Sequence, residues 1–276
     1  MTLIPSEASK PSSNFTSMLI MALPKIGKTQ MLLDLPNSLH IDYQRGAESF
    51  GGVSVNMLSE LEKLKQAHIA SGSDDDPPTL LTVLREIAIE LREKKAKGEQ
   101  YDFIILDPLT EFQRTALLLA EQKYYASNLP DKIKNITDIR MDLEWGKGYT
   151  FLELASIQII EEFLTFPKHC LILVGHPKNQ VVIKEGKEIT VDDLDLENKV
   201  KGYIVQNVPV IGSLTRRRNN ENWLSFKRGD NALYYGARPD HLHEKEFLIS
   251  KMVDGKLETY WDQIFPFITK PKPKSK

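Results

Sequence analysis

A lysine, a threonine and an aspartate define the chemistry this sequence offers. The stretch Ala22-Leu23-Pro24-Lys25-Ile26-Gly27-Lys28-Thr29 matches the phosphate-loop pattern G-x-x-x-x-G-K-[ST] except at its first position, where alanine replaces glycine. In such a loop, successive backbone N–H groups running into the next helix cradle phosphate oxygens. Gly27 permits close approach because it has no side chain. Lys28 supplies a point charge for β and γ phosphates, and the Thr29 hydroxyl can hold Mg²⁺. Pro24, Lys25, Ile26 and Gln30 complete the candidate nucleotide-binding set. Alanine at the first position costs something only where that position needs a positive φ. Lys25 adds a charge whose partner is phosphate, an adjoining subunit or solvent. Downstream, YDFIILD (Tyr101 to Asp107) is an apolar run closed by an acid. Asp107 is placed to meet the metal directly or through water. Either signal alone is ambiguous, since a lysine can decorate any strand-to-helix turn and an acid often ends a strand. Together they indicate a nucleotide fold.

The elements that must position these residues follow from hydrophobic period. SMLIM (Ser17 to Met21) is a strand before the loop, and Thr29 to Leu35 begins a helix stopped by Pro36. SLHID (Ser38 to Asp42) and Gly51 to Val55 are short strand candidates. Asn56 to Ala70 and Thr79 to Lys97 carry apolar residues at helical spacing, separated by the polar loop SGSDDDPP. The Asp107 strand follows, then a helix from Glu111 to Ala126. Asn128 to Lys147 has weak periodicity and reads as a loop. Phe151, Leu152, Ala155, Ile159 and Phe163 mark another helix, and HCLILVG (His169 to Gly175) another buried strand. Beyond His176 the texture shifts to short alternating runs: QVVIKEGKEITV with a turn at Glu185-Gly186, YIVQNVPVIGSLT, NWLSFKR and ALYYGAR. These read as antiparallel strands and hairpins. The expected class is α/β: a mostly parallel sheet flanked by helices, with a β-rich C-terminal extension from about residue 177. No internal repeat or linker divides it.

Composition narrows the function classes. The chain has 276 residues, 41% hydrophobic and 27% charged, with a formal net charge of −2. It is therefore no general polyanion binder, and any nucleic-acid contact must be a local patch. A single cysteine, Cys170, opens the run CLILV and reads as a buried structural thiol; disulfide frameworks and cysteine-rich zinc sites are excluded. The usage fits a reducing cytoplasm. No apolar run reaches the ~20 residues of a membrane helix, so no membrane partner is expected. Residues 1–16 read as a flexible lead, 17–266 as the main domain, and 267–276, ending KPKPKSK, as a basic disordered tail or an anion-contacting arm.

The chain resembles the RecA-like P-loop ATPases carried by phages, a group that includes single-strand-annealing ATPases. The matching segments are PKIGKT, HIDYQRGAES, YDFIILDPLTE, EWGKGY, LILVGHPK, DDLDLENK and YWDQIFP, in order from about Ser17 to Pro266. The resemblance implies a RecA-like P-loop NTPase core that uses ATP and Mg²⁺ and assembles with itself into rings or filaments. It further implies work on single-stranded DNA in recombination, annealing or replication, beside a single-strand-binding protein. The place would be the host bacterial cytoplasm if the chain is phage-encoded. By position, Lys28 and Thr29 bind phosphates and metal, and Thr29 and Asp107 form the metal side. His176, ending the next strand, matches the polar sensor of the γ-phosphate, or is a strand-end histidine with a structural hydrogen bond.

The sequence departs from the family at Gln44, where RecA-like enzymes usually carry the glutamate that activates water. Glutamine can orient water but cannot take its proton. Glu48 or Glu111 can substitute if the fold brings either near; both otherwise read as surface acids. Arg238, after a glycine in YYGARP, is the candidate for a nucleotide contact across a subunit boundary. Arg216, Arg217 and Arg218, with Lys227 and Arg228, are candidates for the same role, for DNA phosphates, or for a solvated charge run. Lys123, Tyr124, Tyr125, Trp145 and Lys147 combine aromatics with lysines, either as a base-stacking surface or as a packed loop. Two alternatives to the DNA-acting ATPase stand beside it: a nucleotide-gated assembly protein with little turnover, and a helicase-like or packaging motor.

Overall fold

The computed structural model describes residues 14–129, 132–133, 135–184, 187–229 and 234–269. Residues 1–13 of the expected lead at 1–16, residues 270–276 of the expected tail at 267–276, and the turn at Glu185-Gly186 lie outside the described residues.

Apolar strands alternate with helices through most of the chain. β1 (Ser17–Ala22), α1 (Lys28–Leu33), β2 (Ser38–Asp42), β3 (Ser54–Asn56), α2 (Met57–Ser71), α3 (Leu80–Ala96) and β4 (Phe103–Asp107) come first. Then come α4 (Leu109–Ala126), α5 (Ile139–Asp142), α6 (Lys147–Leu164) and β5 (Cys170–Gly175). β6 (Pro177–Lys184), β7 (Lys187–Leu194), α7 (Asn198–Asn207) and β8 (Val210–Arg216) follow. The chain closes with β9 (Asn222–Ser225), β10 (Gly236–Ala237), β11 (Glu246–Val253) and β12 (Lys256–Thr259).

The main sheet runs β12-β11-β9-β8-β1-β5-β4-β2-β3, with β10 also on β8. From β3 to β8 every pairing is parallel; from β8 to β12 every pairing is antiparallel. Both faces of the parallel part are covered, which is why its strands are continuously apolar rather than alternating. Leu19, Ile104, Leu106, Leu171 and Leu173 face a core with α3, α4, α6 and α7. Met18, Ile20, Phe103, Ile105 and Ile172 face the other core, filled by α1 and by Trp261, Ile264 and Phe265 near the C-terminus. Cys170 is wholly buried there, and burial pushes its thiol up.

Helix ends are set by local chemistry. Asn56 accepts from the Ser59 amide at the start of α2, and Thr79 forms a reciprocal capping box with Thr82 at the start of α3. α1 is only six residues long and has no side-chain cap. It is held instead by the C-terminal segment, where the Trp261 indole N–H donates to the Met31 carbonyl at 2.9 Å and Thr259 bonds Asp34.

Three expectations are corrected. YIVQNVPVIGSLT is not a pair of antiparallel strands. Its first half is α7, and VIGSLT belongs to β8, which pairs parallel with β1. The parallel sheet thus continues past residue 177 to Arg216, and the antiparallel extension begins after it. Within the stretch read as loop, Ile139–Asp142 forms α5, capped by the Asp138 side chain on the Arg140 amide. β6 and β7 do form the expected hairpin, as a separate two-stranded ribbon.

The root of that hairpin is tied down by a buried ion pair. Asp193 meets Lys201 of α7 at 2.6 Å and also accepts from the Leu194 amide at 2.8 Å. Removing one partner would leave the other charge buried and alone. Lys201→Met is expected to lower unfolding free energy by about 3–5 kcal/mol in urea titration, and Asp193→Leu in the same chain to recover most of it.

Candidate nucleotide-binding site

The parallel strands end together, and the loop after β1 lies at that carboxyl edge. Ala22 remains within β1, paired with Leu214, so the missing first glycine carries no left-handed burden. That burden falls on Lys25, with φ 64°, and on Gly27, with φ 86°. A lysine adopts this region at a cost of about 1–2 kcal/mol. Gly27 caps α1 with its carbonyl on the Met31 amide and leaves the first helical amides without a side-chain cap. Such amides suit an anion. Pro24 and Lys25 are exposed, while Ile26 and Gln30 are half-buried.

β5 lies between β1 and β4, so a side chain from the loop must cross it to reach the other acid-bearing strand. Lys28 does so. Its buried Nζ stands 2.5 Å from Asp107 Oδ1, and Thr29 Oγ1 donates to Asp107 Oδ2 at 3.4 Å. His40 Nε2 stands 3.3 Å from the same Oδ2. Burial pushes the Asp107 carboxyl up, but His40 and the Lys28 charge outweigh it and hold it below its ordinary 3.8.

Asp42, paired in register with Asp107, ends β2 as a second buried acid. Its oxygens accept from the amides of Gln44 at 2.8 Å and Ala47 at 2.7 Å. This folds the following turn back, so that a Cβ at Gly46 would stand 3.5 Å from Thr29 Oγ1. On the other flank, the Asn222 amide of β9 would stand 3.4 Å from a Cβ at Gly27, and it donates to Ser250 Oγ at 2.9 Å.

The remaining candidates fall in different places. Gln44 is exposed on the turn that Asp42 organises. The exposed Glu48 accepts from Ser59 Oγ at 3.2 Å, and Glu111 pairs with Arg114 at 2.9 Å in the first turn of α4. Among the described residues, none of these three side chains bonds Lys28, Thr29 or Asp107. His176 Nδ1 lies 3.0 Å from the Ala22 carbonyl, so this ring ties the end of β5 to the entry of the phosphate loop.

Arg216 ends β8 at the same edge, because Leu214 pairs with Ala22. Arg216 donates to Asn220 Oδ1 at 2.9 Å, and Arg217 binds Glu246 at 2.8 Å with its guanidinium 4.5 Å from the Trp223 ring centre. Arg218 is exposed. Arg238 lies at the opposite, amino end of the sheet: Ala237 pairs with Val210, and Arg238 donates to the Gln206 carbonyl at 2.9 Å. It cannot reach the loop of its own chain.

Tyr124 is buried, with its hydroxyl accepting from the Ile133 amide at 2.9 Å, which removes it from any stacking surface. Tyr125 is exposed, Lys123 is half-buried, and Lys147 is exposed at the start of α6.

Sequence reasoning passed over His40, Asp42 and Asn222. His40 and Asp42 did carry a signal: polar residues inside and at the end of SLHID, one strand away from YDFIILD. Asn222 carried none, because its place at the loop comes only from the β8–β9 pairing.

A mostly parallel sheet flanked by helices, with GKT after one strand and a buried acid ending another, is consistent with the P-loop NTPase fold. The chain belongs to the AAA domain family (AAA_24), whose model matches residues 14–239. A comparison with curated proteins returned no match. The family generally uses ATP and Mg²⁺, and the residues here fit them. Lys28 and the uncapped amides suit phosphate, and Thr29 and Asp107 offer the few oxygen ligands magnesium takes from protein beside phosphate and water. No helix among the described residues is long and apolar enough to cross a membrane.

Gly27→Ala is expected to lower stability by about 1–2 kcal/mol, since alanine must adopt φ 86° there, while Lys25→Gly leaves the denaturant midpoint unchanged or raised. Asp107 also sets an acid limit. Its folded pKa lies below 3.8, so its contribution to stability is present above that value and is lost as pH falls through the lower, folded one. The difference in unfolding free energy between wild type and Asp107→Asn should therefore hold steady at neutral pH and shrink below pH 3.8 in acid titration.

Proposed function

We propose that this protein is a RecA-like ATPase that binds ATP with Mg²⁺ and acts on single-stranded DNA. The observation that carries the reading is the Lys28–Asp107 contact across β5, with Thr29 on the same carboxylate. It brings phosphate charge and metal ligand to one point at the carboxyl edge of the sheet. A bound magnesium ion would neutralise charge on the transferred phosphoryl group. Lys28 then holds phosphate oxygens, the loop amides fix their position, and Asp107 and Thr29 orient the metal side. His176, anchored on Ala22, keeps the end of β5 in register with the loop.

The Arg216–Arg218 turn supports the DNA reading. It puts the exposed Arg216 and Arg218 at the same edge as the loop, where phosphates of a strand can be met, while Arg217 is paired with Glu246. Arg238, facing away at the other end, suits a contact with the nucleotide of a neighbouring subunit in a homo-oligomer.

A second reading has its own support. Gln44 is exposed, and neither Glu48 nor Glu111 bonds the Lys28–Asp107 pair. A site without a poised base turns over slowly and serves as an assembly switch.

The test is ATP hydrolysis with and without single-stranded DNA, beside nucleotide titration of Lys28→Ala. DNA-stimulated turnover is expected for the first reading; nucleotide binding with no stimulated turnover selects the switch. Lys28→Ala should abolish nucleotide binding under both, and unchanged affinity would remove the site.

A further inference from the structure

One side chain beside the phosphate loop is buried with its polar atoms unused. Strand β2 is buried along its whole length, and a strand covered on both faces is expected to be apolar. His40 breaks that rule at the centre of the strand, where none of its surface reaches solvent. Its backbone is satisfied, since the amide donates to the Val53 carbonyl at 3.0 Å. Its ring is not. Among the described residues neither Nδ1 nor Nε2 has a hydrogen-bond partner. Buried polar atoms without partners cost stability, so a ring of this kind points to a role in the site or to a bond made in another state.

The neighbour of the ring says which bond. Nε2 stands 3.3 Å from Asp107 Oδ2, within range of a hydrogen bond but not aligned as one. The carboxylate is held by the phosphate loop instead: Lys28 Nζ lies 2.5 Å from Oδ1, and Thr29 Oγ1 donates to Oδ2 at 3.4 Å.

We propose that His40 is a positioning residue for the metal-side carboxylate of Asp107, in an inference that rests on the nucleotide reading. Phosphate seated on the loop attracts the Lys28 ammonium, and Asp107 then loses part of its hold. His40 Nε2–H takes up that hold on Oδ2. The two atoms are already in range, so a small rotation of either group aligns the bond. The carboxylate thereby stays buried and fixed in direction on the side that Thr29 occupies. His40 touches neither phosphate nor metal; it acts through Asp107. Partners of this kind, behind a metal ligand, govern how firmly a metal is held.

The test compares the full-length variants His40→Leu and His40→Gln, the second carrying an amide nitrogen that can reach the place of Nε2. Affinity for ATP is measured by calorimetric titration, once with magnesium and once with EDTA. His40→Leu is expected to weaken binding in magnesium about tenfold. Its metal-free affinity should be unchanged, because Lys28 and the loop amides are intact. His40→Gln should recover most of the loss. Melting of the nucleotide-free protein gives a separate readout. Leucine removes two unpartnered polar atoms from the core, so its melting temperature should equal or exceed that of wild type. A lower one means that the ring already serves the free fold, and the proposal fails. It fails equally if His40→Leu binds as wild type does, or loses the same factor with and without magnesium. A magnesium-specific loss that a folded His40→Gln shares in full shows that no donor is needed, and also overturns it. Wild type that binds no ATP in either buffer removes the phosphate site together with this role; wild type that binds normally beside an unaffected leucine variant removes the role of His40 alone.

Discussion

The ion pair between Lys28 and Asp107 is the constraint on which the carboxyl edge depends. It joins a loop on β1 to an acid on β4, with β5 between them, and so spans three strands at the point where the sheet opens. Both groups are buried, so neither can lose its partner without a large desolvation penalty. A phosphate seated on the loop gives Lys28 a second partner of the same sign as Asp107, while a metal gives Asp107 a second partner of the same sign as Lys28. The pair can be exchanged for ligand contacts rather than broken. Around it, His40 and Thr29 share the same carboxylate, and Asp42 turns the neighbouring loop toward Thr29.

Much of this was readable where the physical cause is local. GKT after an apolar strand and FIIL before an acid gave both halves of the ion pair, because a strand's burial and a loop's pattern are written in consecutive residues. Helix α3 was readable to within a residue of its ends, since Leu80, Val83, Leu84, Ile87 and Leu91 recur at helical spacing. Phe103 to Leu106 face two cores alternately, and a strand covered on both sides must be apolar throughout, which is what marked it as buried.

Errors came where a long-range partner decided. VIGSLT and NWLSF have the same local texture, yet β8 runs parallel to β1 while β9 runs antiparallel to β8. Nothing in either segment states the direction of its neighbour. The same holds for Asn222, and for Tyr124, whose hydroxyl is satisfied by an amide nine residues on. Arg238 follows a glycine in a way that suggests close approach, but β10 carries it to the far end of the sheet. Spacing along the chain reports periodicity; it does not report which end of a sheet a residue occupies.

The indole of Trp261 on the carbonyl of Met31 joins residues 230 positions apart. α1, at six residues, is too short to be stable by itself. Its brace therefore leaves the ribosome 230 residues after the helix it steadies. During synthesis the phosphate loop is exposed before the segment that steadies it exists. Long-range closure of this kind slows folding. It also makes a finished loop a sign that synthesis has passed Trp261.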